Sequence, residues 1–329
     1  MGRIDSIVFF GTPEFAVPTL EALCAAGHRP RLVVTQPARP AGRGREVQPP
    51  PVARAASGHG LVVCQPQRLA DERFRQRLAE LAPDLGLVVA YGRIFPDWLL
   101  ALPRLGCVNL HASLLPRWRG AAPIQAALAA GDEETGVTTM LMEAGLDAGP
   151  VMLQRRLVIG ALETAGELTP RLARDGAELV LETVGRLEAG TVEPQLQDAE
   201  RATHAPRLRR QDGRVDWCRP ARELFNRWRA FTPWPGLTAE LGGQPVKLVR
   251  VEPAQHADSY VKPPTQMPAA SGAAGLPGEI LTVDASGIDV ACGDANVLRL
   301  SVLQRAGRRA LAAADFARGE RLGAGDRFA

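Results

Sequence analysis

The stretch DLGLVVAYGRIFPDWLLALPRLGCVNLHA, residues 84–112, holds two short apolar runs, DLGLVVAYG (84–92) and GCVNLHA (106–112), with turn residues between them. Upstream lie IVFFG (7–11), RLVVTQ (31–36) and LVVCQ (61–65), again alternating with segments of helical patterning. Strand-like runs spaced this way, with helices between them, predict a doubly wound, mostly parallel α/β sheet. Thr12-Pro13-Glu14 offers an N-cap, a proline at the first helical position and an early acid ahead of FAVPTLEALCAAG, and Gly27 supplies the stop. Val17-Pro18 interrupts that helix locally.

Two further β-like runs, GVTTMLM (136–142) and VMLQRRLVI (151–159), precede a helix from about Thr164 to Leu187, marked by Leu168, Leu172, Leu179, Val180 and Val184. After GTVEPQLQDAERATHAP (190–206) the pattern changes. A short helix around Ala221 to Ala230 leads through TPWPG into LTAEL, PVKLVRVE, GEILTV, GIDVAC and NVLRLSVLQ, five short segments separated by turn residues. These predict a smaller OB-like β-barrel. The expected division is therefore residues 1–203 and residues 204–329. The excursion from Pro253 to Pro277, rich in Ala, Pro, Gly and Ser, is expected to be an exposed loop without a fixed fold.

The composition, 46% hydrophobic and 23% charged over 329 residues, is that of an ordinary globular chain with room for two cores. No apolar run approaches the roughly 20 residues of a membrane span. The five cysteines, Cys24, Cys64, Cys107, Cys218 and Cys292, lie far apart with no CxxC pair. That argues against a disulfide framework or a zinc site, and for a reduced cytoplasmic compartment with no metal cofactor. The net charge of +3 hides an asymmetry: residues 1–203 hold 21 Lys+Arg against 23 Asp+Glu, whereas residues 204–329 hold 18 against 13. The basic half fits either a polyanionic partner or a merely soluble, arginine-rich surface.

One loop stands out. TQPARPAGRGREVQPPP (35–51) joins a strand to a helix with five prolines, three arginines and two glycines. Its glycines lack the GxGxxG spacing and follow the second strand, so it is not a dinucleotide fingerprint. It reads either as a connector or as an arginine-bearing loop that grips phosphates.

Chemistry concentrates at the end of GCVNLHA. Asn109 and His111 alternate along a strand, so both side chains point to one face, at the carboxyl end where open α/β sheets bind ligands. An amide can donate to a developing oxyanion, and an imidazole can donate when protonated or shuttle a proton near neutrality. Asp147, in MEAGLDAGP (142–150), is a third candidate: a carboxylate held in a tight loop, or simply a turn-forming Asp beside Gly. Ser113 has no GxSxG elbow around it, which favours direct transfer between two bound substrates over a covalent acyl-enzyme.

The run N-x-H-x-S-L-L-P, here Asn109, His111, Ser113, Leu114, Leu115 and Pro116, with Asp147 in GLDAG, resembles the signature of the 10-formyltetrahydrofolate-dependent formyltransferases. FFGTPEFA, the loop TQPARPAGRGR, RWRGAAPIQ and AFTPWPG extend the resemblance over nearly the whole chain, apart from the 253–277 excursion. They are similar to the branch that formylates the methionyl initiator tRNA. The resemblance implies a Rossmann-like formyltransferase domain followed by a tRNA-binding barrel, acting as a monomer away from membranes. It implies that the methionyl α-amino group attacks the formyl carbon of 10-formyltetrahydrofolate, giving a tetrahedral intermediate. Asn109 and His111 would stabilise its oxyanion, while Asp147 orients His111 and helps remove the amine proton. The folate would lie along Ser113, Leu114, Leu115 and Pro116 and reach Val89, Ala90, Tyr91 and Gly92. The tRNA would meet Arg39, Arg43 and Arg45 in the early loop and Arg207, Arg210, Lys247, Arg305, Arg308 and Arg309 in the basic half. Arg117 and Arg119 either reach substrate or anchor their own loop. A sister enzyme acting on an amino sugar nucleotide, or a catalytically silent RNA-binding protein, would share parts of this pattern. The arginine loop argues against the first, and Asn109, His111 and Asp147 together argue against the second.

Overall fold

Ile7–Gly11 (β1) is five consecutive buried residues, the mark of a strand covered on both faces. In the computed structural model, which describes residues 2–41, 46–253 and 275–329, it is an interior strand of a seven-stranded sheet, beside the central one. The chain continues through α1 (Val17–Ala25), β2 (Leu32–Val34), the short pair β3 (Arg39–Ala41) and β4 (Glu46–Gln48), α2 (Pro51–Gly58) and β5 (Val63–Cys64). There follow α3 (Glu72–Leu81), β6 (Leu85–Val89), α4 (Asp97–Leu100), β7 (Cys107–His111), β8 (Arg119–Gly120) and α5 (Pro123–Ala130). Next come β9 (Glu134–Leu141), β10 (Val151–Val158), α6 (Ala165–Ala189) and β11 (His204–Ala205).

The sheet order is β10-β9-β7-β6-β1-β2-β5. Strands β5, β2, β1, β6 and β7 are parallel, while β9 and β10 join antiparallel at one edge, so the sheet is mostly parallel. The chain builds outward from β1 through β2 to β5, then crosses back to β6 and β7. The switch point therefore falls between β1 and β6, and their carboxyl ends, with that of β7 beside them, form the crevice expected to hold a ligand.

The first helix differs in detail from its sequence pattern. The Thr12 hydroxyl does not cap it. It donates to the Tyr91 carbonyl at 3.4 Å and accepts from the Gln36 amide at 3.2 Å. Glu14–Ala16 forms a 3-10 turn, and the α-helix proper begins at Val17 with Pro18 in its first turn, where a missing N–H is harmless. Gly27, at φ +85°, ends it as expected.

One face of the sheet is sealed by Phe10, Tyr91 and Phe95, which meet edge to face at centroid distances of 4.9 to 5.9 Å. The Cys107 thiol lies in this core, donates toward the Leu99 carbonyl and is pushed up to about 12 by burial. It packs as a small apolar group and has no nucleophilic character.

The described chain separates into two compact units, Met1–Pro123 with Glu134–Val158 and Leu168–Pro206, and Ile124–Glu133 with Ile159–Glu167 and Arg207–Ala329. The second contains α7 (Ala221–Phe231), β12 (Leu237–Leu241), β13 (Gln244–Pro253), β14 (Ile280–Val283), β15 (Ile288–Ala291), β16 (Val297–Arg305), β17 (Leu311–Ala312) and α8 (Ala313–Glu320). Its strands form an antiparallel sheet in the order β12-β13-β16-β15-β14, with β17 added on β16 and register shifts in β13 and β14 that bend it. All five segments expected from the sequence are strands. Most of the anticipated loop at 253–277 lies outside the described residues.

Candidate active site

Strand β7 delivers Asn109 and His111 as its pattern requires, both on one face beside the end of β6. His111 is buried, and its Nε2 lies 2.9 Å from the Trp118 carbonyl oxygen. A carbonyl only accepts, so Nε2 carries the hydrogen of that bond. The other ring nitrogen, Nδ1, faces Asp147 Oδ2 at 3.7 Å, too far for a direct hydrogen bond. The imidazole is thus fixed through one nitrogen and left free at the other.

Asp147 is held by its backbone and by one oxygen. It sits at φ +48°, in the left-handed region, in the loop between β9 and β10. Oδ2 accepts the Gly120 amide at 2.9 Å. Gly120 itself has φ +118°, and a Cβ there would come within 2.6 Å of the Ala205 carbonyl oxygen, so only glycine fits this donor position. Among the described residues, Asp147 Oδ1 and the half-buried Asn109 amide have no hydrogen-bond partner. Three unspent groups, the Asn109 amide, His111 Nδ1 and Asp147 Oδ1, therefore occur on two neighbouring elements of one crevice.

The SLLP segment is largely occupied with its own turn. Ser113 is fully buried, and its hydroxyl donates to the Arg117 carbonyl at 2.6 Å. The Ser113 carbonyl accepts from Thr138 Oγ1 at 2.6 Å, and Gln154 Nε2 donates to the Leu115 carbonyl at 2.8 Å. Leu115 is buried ahead of a cis peptide bond to Pro116, while Leu114 and Pro116 stay half-buried. At the end of β6, Val89 and Tyr91 turn into the core and Ala90 and Gly92 are exposed, both at positive φ. Of the eight residues expected along a folate, Leu114, Pro116, Ala90 and Gly92 keep accessible surface, whereas Ser113, Leu115, Val89 and Tyr91 are buried.

In the RWRG segment Arg119 anchors its own loop. Arg119 Nε and Nη2 donate to Gln197 Oε1 at 3.0 and 2.8 Å, an amide partner, not an acid. The Arg117 guanidinium lies 4.6 Å from the Trp118 ring centroid. Gln197, Thr203, Thr138 and Gln154 shape the site and carry no local sequence signal, because each reaches it from a distant element.

Of the basic residues, Arg39 begins β3, which pairs with β4; Arg43 and Arg45 lie outside the described residues. Arg207, Arg210, Arg308 and Arg309 are exposed, and Lys247 is half-buried on β13. Arg305 is committed elsewhere: it grips both Glu320 carboxylate oxygens at 2.9 and 2.8 Å and donates to the Leu241 carbonyl at 3.1 Å. Among the described residues no cluster of three or more His, Cys, Asp or Glu is arranged to hold a metal ion, and no helix is long and apolar enough to cross a membrane.

Residues 5–184 match the family model described as formyl transferase, and residues 207–321 match the model of the formyl transferase C-terminal domain. The chain belongs to the formyl transferase family. This formyl transferase is 49% identical over 317 residues to the methionyl-tRNA formyltransferase of Acidobacterium capsulatum, covering 96% of this chain and 97% of that one. Among solved structures, an N-formyltransferase from Helicobacter canadensis in complex with folinic acid and dTDP-3-aminofucose aligns at TM-score 0.63 and 16% identity, over 90% of this chain and 98% of that one. HypX from Aquifex aeolicus in complex with tetrahydrofolic acid aligns at TM-score 0.58 and 16% identity, over 96% of this chain and 47% of that longer one. At such identities the two structures establish a shared fold.

Proposed function

We propose that this formyl transferase moves the formyl group of 10-formyltetrahydrofolate to the α-amino group of methionyl initiator tRNA, supplying the formylmethionyl-tRNA that starts translation. The full-length, 49% identity to a relative of that activity supports the acceptor, as does the basic balance of residues 204–329. The observation that carries the chemistry is the set of unspent groups at the β7 end: the Asn109 amide, His111 Nδ1 and Asp147 Oδ1.

The roles follow from those atoms. The neutral methionyl amine attacks the formyl carbon; a free α-amino group titrates near about 7.7–8.0, and esterification of the adjacent carboxyl lowers that further. As the carbonyl oxygen becomes an oxyanion, the Asn109 amide and a proton on His111 Nδ1 are the donors that face it. Nε2 stays tied to Trp118, so the ring does not swing away when charge develops. Asp147 balances the imidazolium through Oδ2 and takes the amine proton through Oδ1; the intermediate then collapses, the bond from the formyl carbon to the folate N10 breaks, and N10 takes up that proton as tetrahydrofolate leaves. The folate lies along Leu114 and Pro116 and reaches the backbone of Ala90 and Gly92, with Ser113, Leu115, Val89 and Tyr91 forming the wall behind.

Residues 1–203 are assigned to catalysis and 204–329 to tRNA binding, in a monomer working in the cytoplasm without a metal. Arg39, Arg43 and Arg45 grip the acceptor arm, and Arg207, Arg210, Lys247, Arg308 and Arg309 meet backbone phosphates. Arg305 is left out of that set because Glu320 already neutralises it.

The test supplies purified protein with 10-formyltetrahydrofolate and either charged initiator tRNA or an amino sugar nucleotide. Formylmethionyl-tRNA is the expected product, and formylation of the sugar alone overturns the assignment. Arg43→Ala should raise the KM for tRNA while leaving the KM for folate unchanged.

A further inference from the structure

We infer that the connector Gln195–Ala205 is a positioning element of the active site, and that Gln197 is the residue through which it fixes the backbone carrying Asp147. This rests on the catalytic role proposed above for Asp147. The connector lies between the two family matches, which end at residue 184 and resume at residue 207.

Gln197 spends its whole side-chain amide on two separate pieces of the site. Its Nε2 donates to the carbonyl oxygens of Asp147 at 2.9 Å and Gly149 at 2.7 Å, and its Oε1 accepts Nε and Nη2 of Arg119. Two donors and two acceptor lone pairs are the full capacity of that group. It is half-buried in a stretch whose neighbours from Glu193 to Glu200 are exposed, so it alone turns inward there. The loop it grips is conformationally demanding: Asp147 lies at φ +48°, and a Cβ on Gly149 would stand 1.9 Å from the Leu141 carbonyl oxygen. A backbone in that region persists where its surroundings over-determine it.

The far end of the connector holds the other half of the site. Thr203 Oγ1 accepts the Trp118 amide at 2.9 Å, and the Thr203 carbonyl accepts the Arg119 amide at 2.8 Å. Strand β11 then runs parallel to β8, His204 against Arg119 and Ala205 against Gly120. The groups so placed are those that hold the catalytic side chains: the Trp118 carbonyl on His111 Nε2 and the Gly120 amide on Asp147 Oδ2. One eleven-residue connector thus sets the orientation of both the imidazole and the carboxylate, with Gln197 spanning the gap between their loops.

The test compares Gln197→Ala, Gln197→Glu, Asp147→Asn and the double variant Gln197→Ala/Asp147→Asn. Glutamate keeps the Arg119 contact and loses both donors to the loop carbonyls. Both single changes at Gln197 should lower kcat by about tenfold or more, since displacements of about 1 Å at reacting groups cost up to about a hundredfold. The KM for each substrate should stay within about twofold. In the Asp147→Asn background, Gln197→Ala should cost less than about twofold further, because residues acting as a unit do not add. Undiminished kcat in the Gln197 variants, or a full multiplicative loss in the Asp147→Asn background, overturns the positioning role. Undiminished turnover in Asp147→Asn alone overturns the catalytic reading instead, so the two failures are distinguishable. Should Gln197→Ala fail to fold by circular dichroism, Gln197→Glu alone and combined with Asp147→Asn is judged by the same two criteria.

Discussion

The two units each contain a dense polar network, and they differ in what is left over. In the C-terminal unit the buried Arg299 donates through Nη1 to Asp289 at 2.7 Å and through Nη2 to Asp284 at 2.5 and 2.6 Å. The guanidinium holds the Asp284 carboxyl far below the usual carboxylate range. At the end of β7 the wiring is as close, yet among the described residues the Asn109 amide and Asp147 Oδ1 have no partner, and His111 Nδ1 stands off its carboxylate by 3.7 Å. The first network is a closed brace between neighbouring strands. The second holds its side chains by one end and presents the other. Dense polarity therefore does not mark the site; unfilled hydrogen-bonding capacity on restrained side chains does.

The comparison breaks most visibly at Asn109. Asn109→Ala should lower kcat by about 10²–10³-fold, the range for losing an oxyanion donor, and should leave the melting temperature unchanged because no protein group loses a bond. Single-turnover kinetics beside a thermal melt measures both; a destabilised protein with full turnover would make Asn109 a brace like Arg299. Ser113 sharpens the same line from the other side. Ser113→Ala should cost about 0.5–1.5 kcal/mol of stability, the net worth of one intramolecular hydrogen bond, here the one from the buried hydroxyl to the Arg117 carbonyl, and should change the folate KM by less than about threefold. A large rise in folate KM in a stable protein would return Ser113 to the binding surface.

The closed network should answer in the opposite way. Arg299→Met should lower the melting temperature by several degrees, since it strands two carboxylates, while kcat measured well below the melt stays at the parent value. Loss of kcat with unchanged melting would overturn its assignment as a brace. The smallest effect is expected at the partly exposed Arg305–Glu320 pair of the same unit. Hydrogen bonds from Arg305 hold the Glu320 carboxyl below its usual range. A depressed acid contributes stability that is present above its unfolded pKa, near about 4.3, and is lost as pH falls through the folded value. The melting difference between the parent and Glu320→Gln should therefore be measurable at pH 7 and shrink toward zero below about pH 4. A difference constant across that range would show the pair to be electrostatically inert.

The principal strands of both units were legible because each is an apolar run bounded by turn residues, whereas the short strands β3, β4, β8, β11 and β17 have no such run to mark them. The β7 pair Asn109 and His111 was legible because strand periodicity is rigid. Thr12 was misread as a cap for a physical reason. Its hydroxyl has two local uses, and the partners that outcompete helix capping, Tyr91 and Gln36, come from the segments just after β6 and β2. The burial of the Tyr91 ring was illegible for a similar reason: it follows β6 directly, and the partners that pack against it, Phe10 and Phe95, come from elsewhere in the chain. Arg305 looked like a phosphate ligand until α8 brought Glu320 against it.

By itself the sequence determined the order of the principal elements, the mostly parallel first sheet, the separate antiparallel second one and the residue types at the β7 end, because these follow from periodicity and from backbone rules acting over a few residues. Tertiary structure alone decided which of those polar groups are spent. A hydrogen bond is fixed by the partner that arrives, and the partners of His111, Asp147 and Arg119 lie 7, 27 and 78 residues away along the chain.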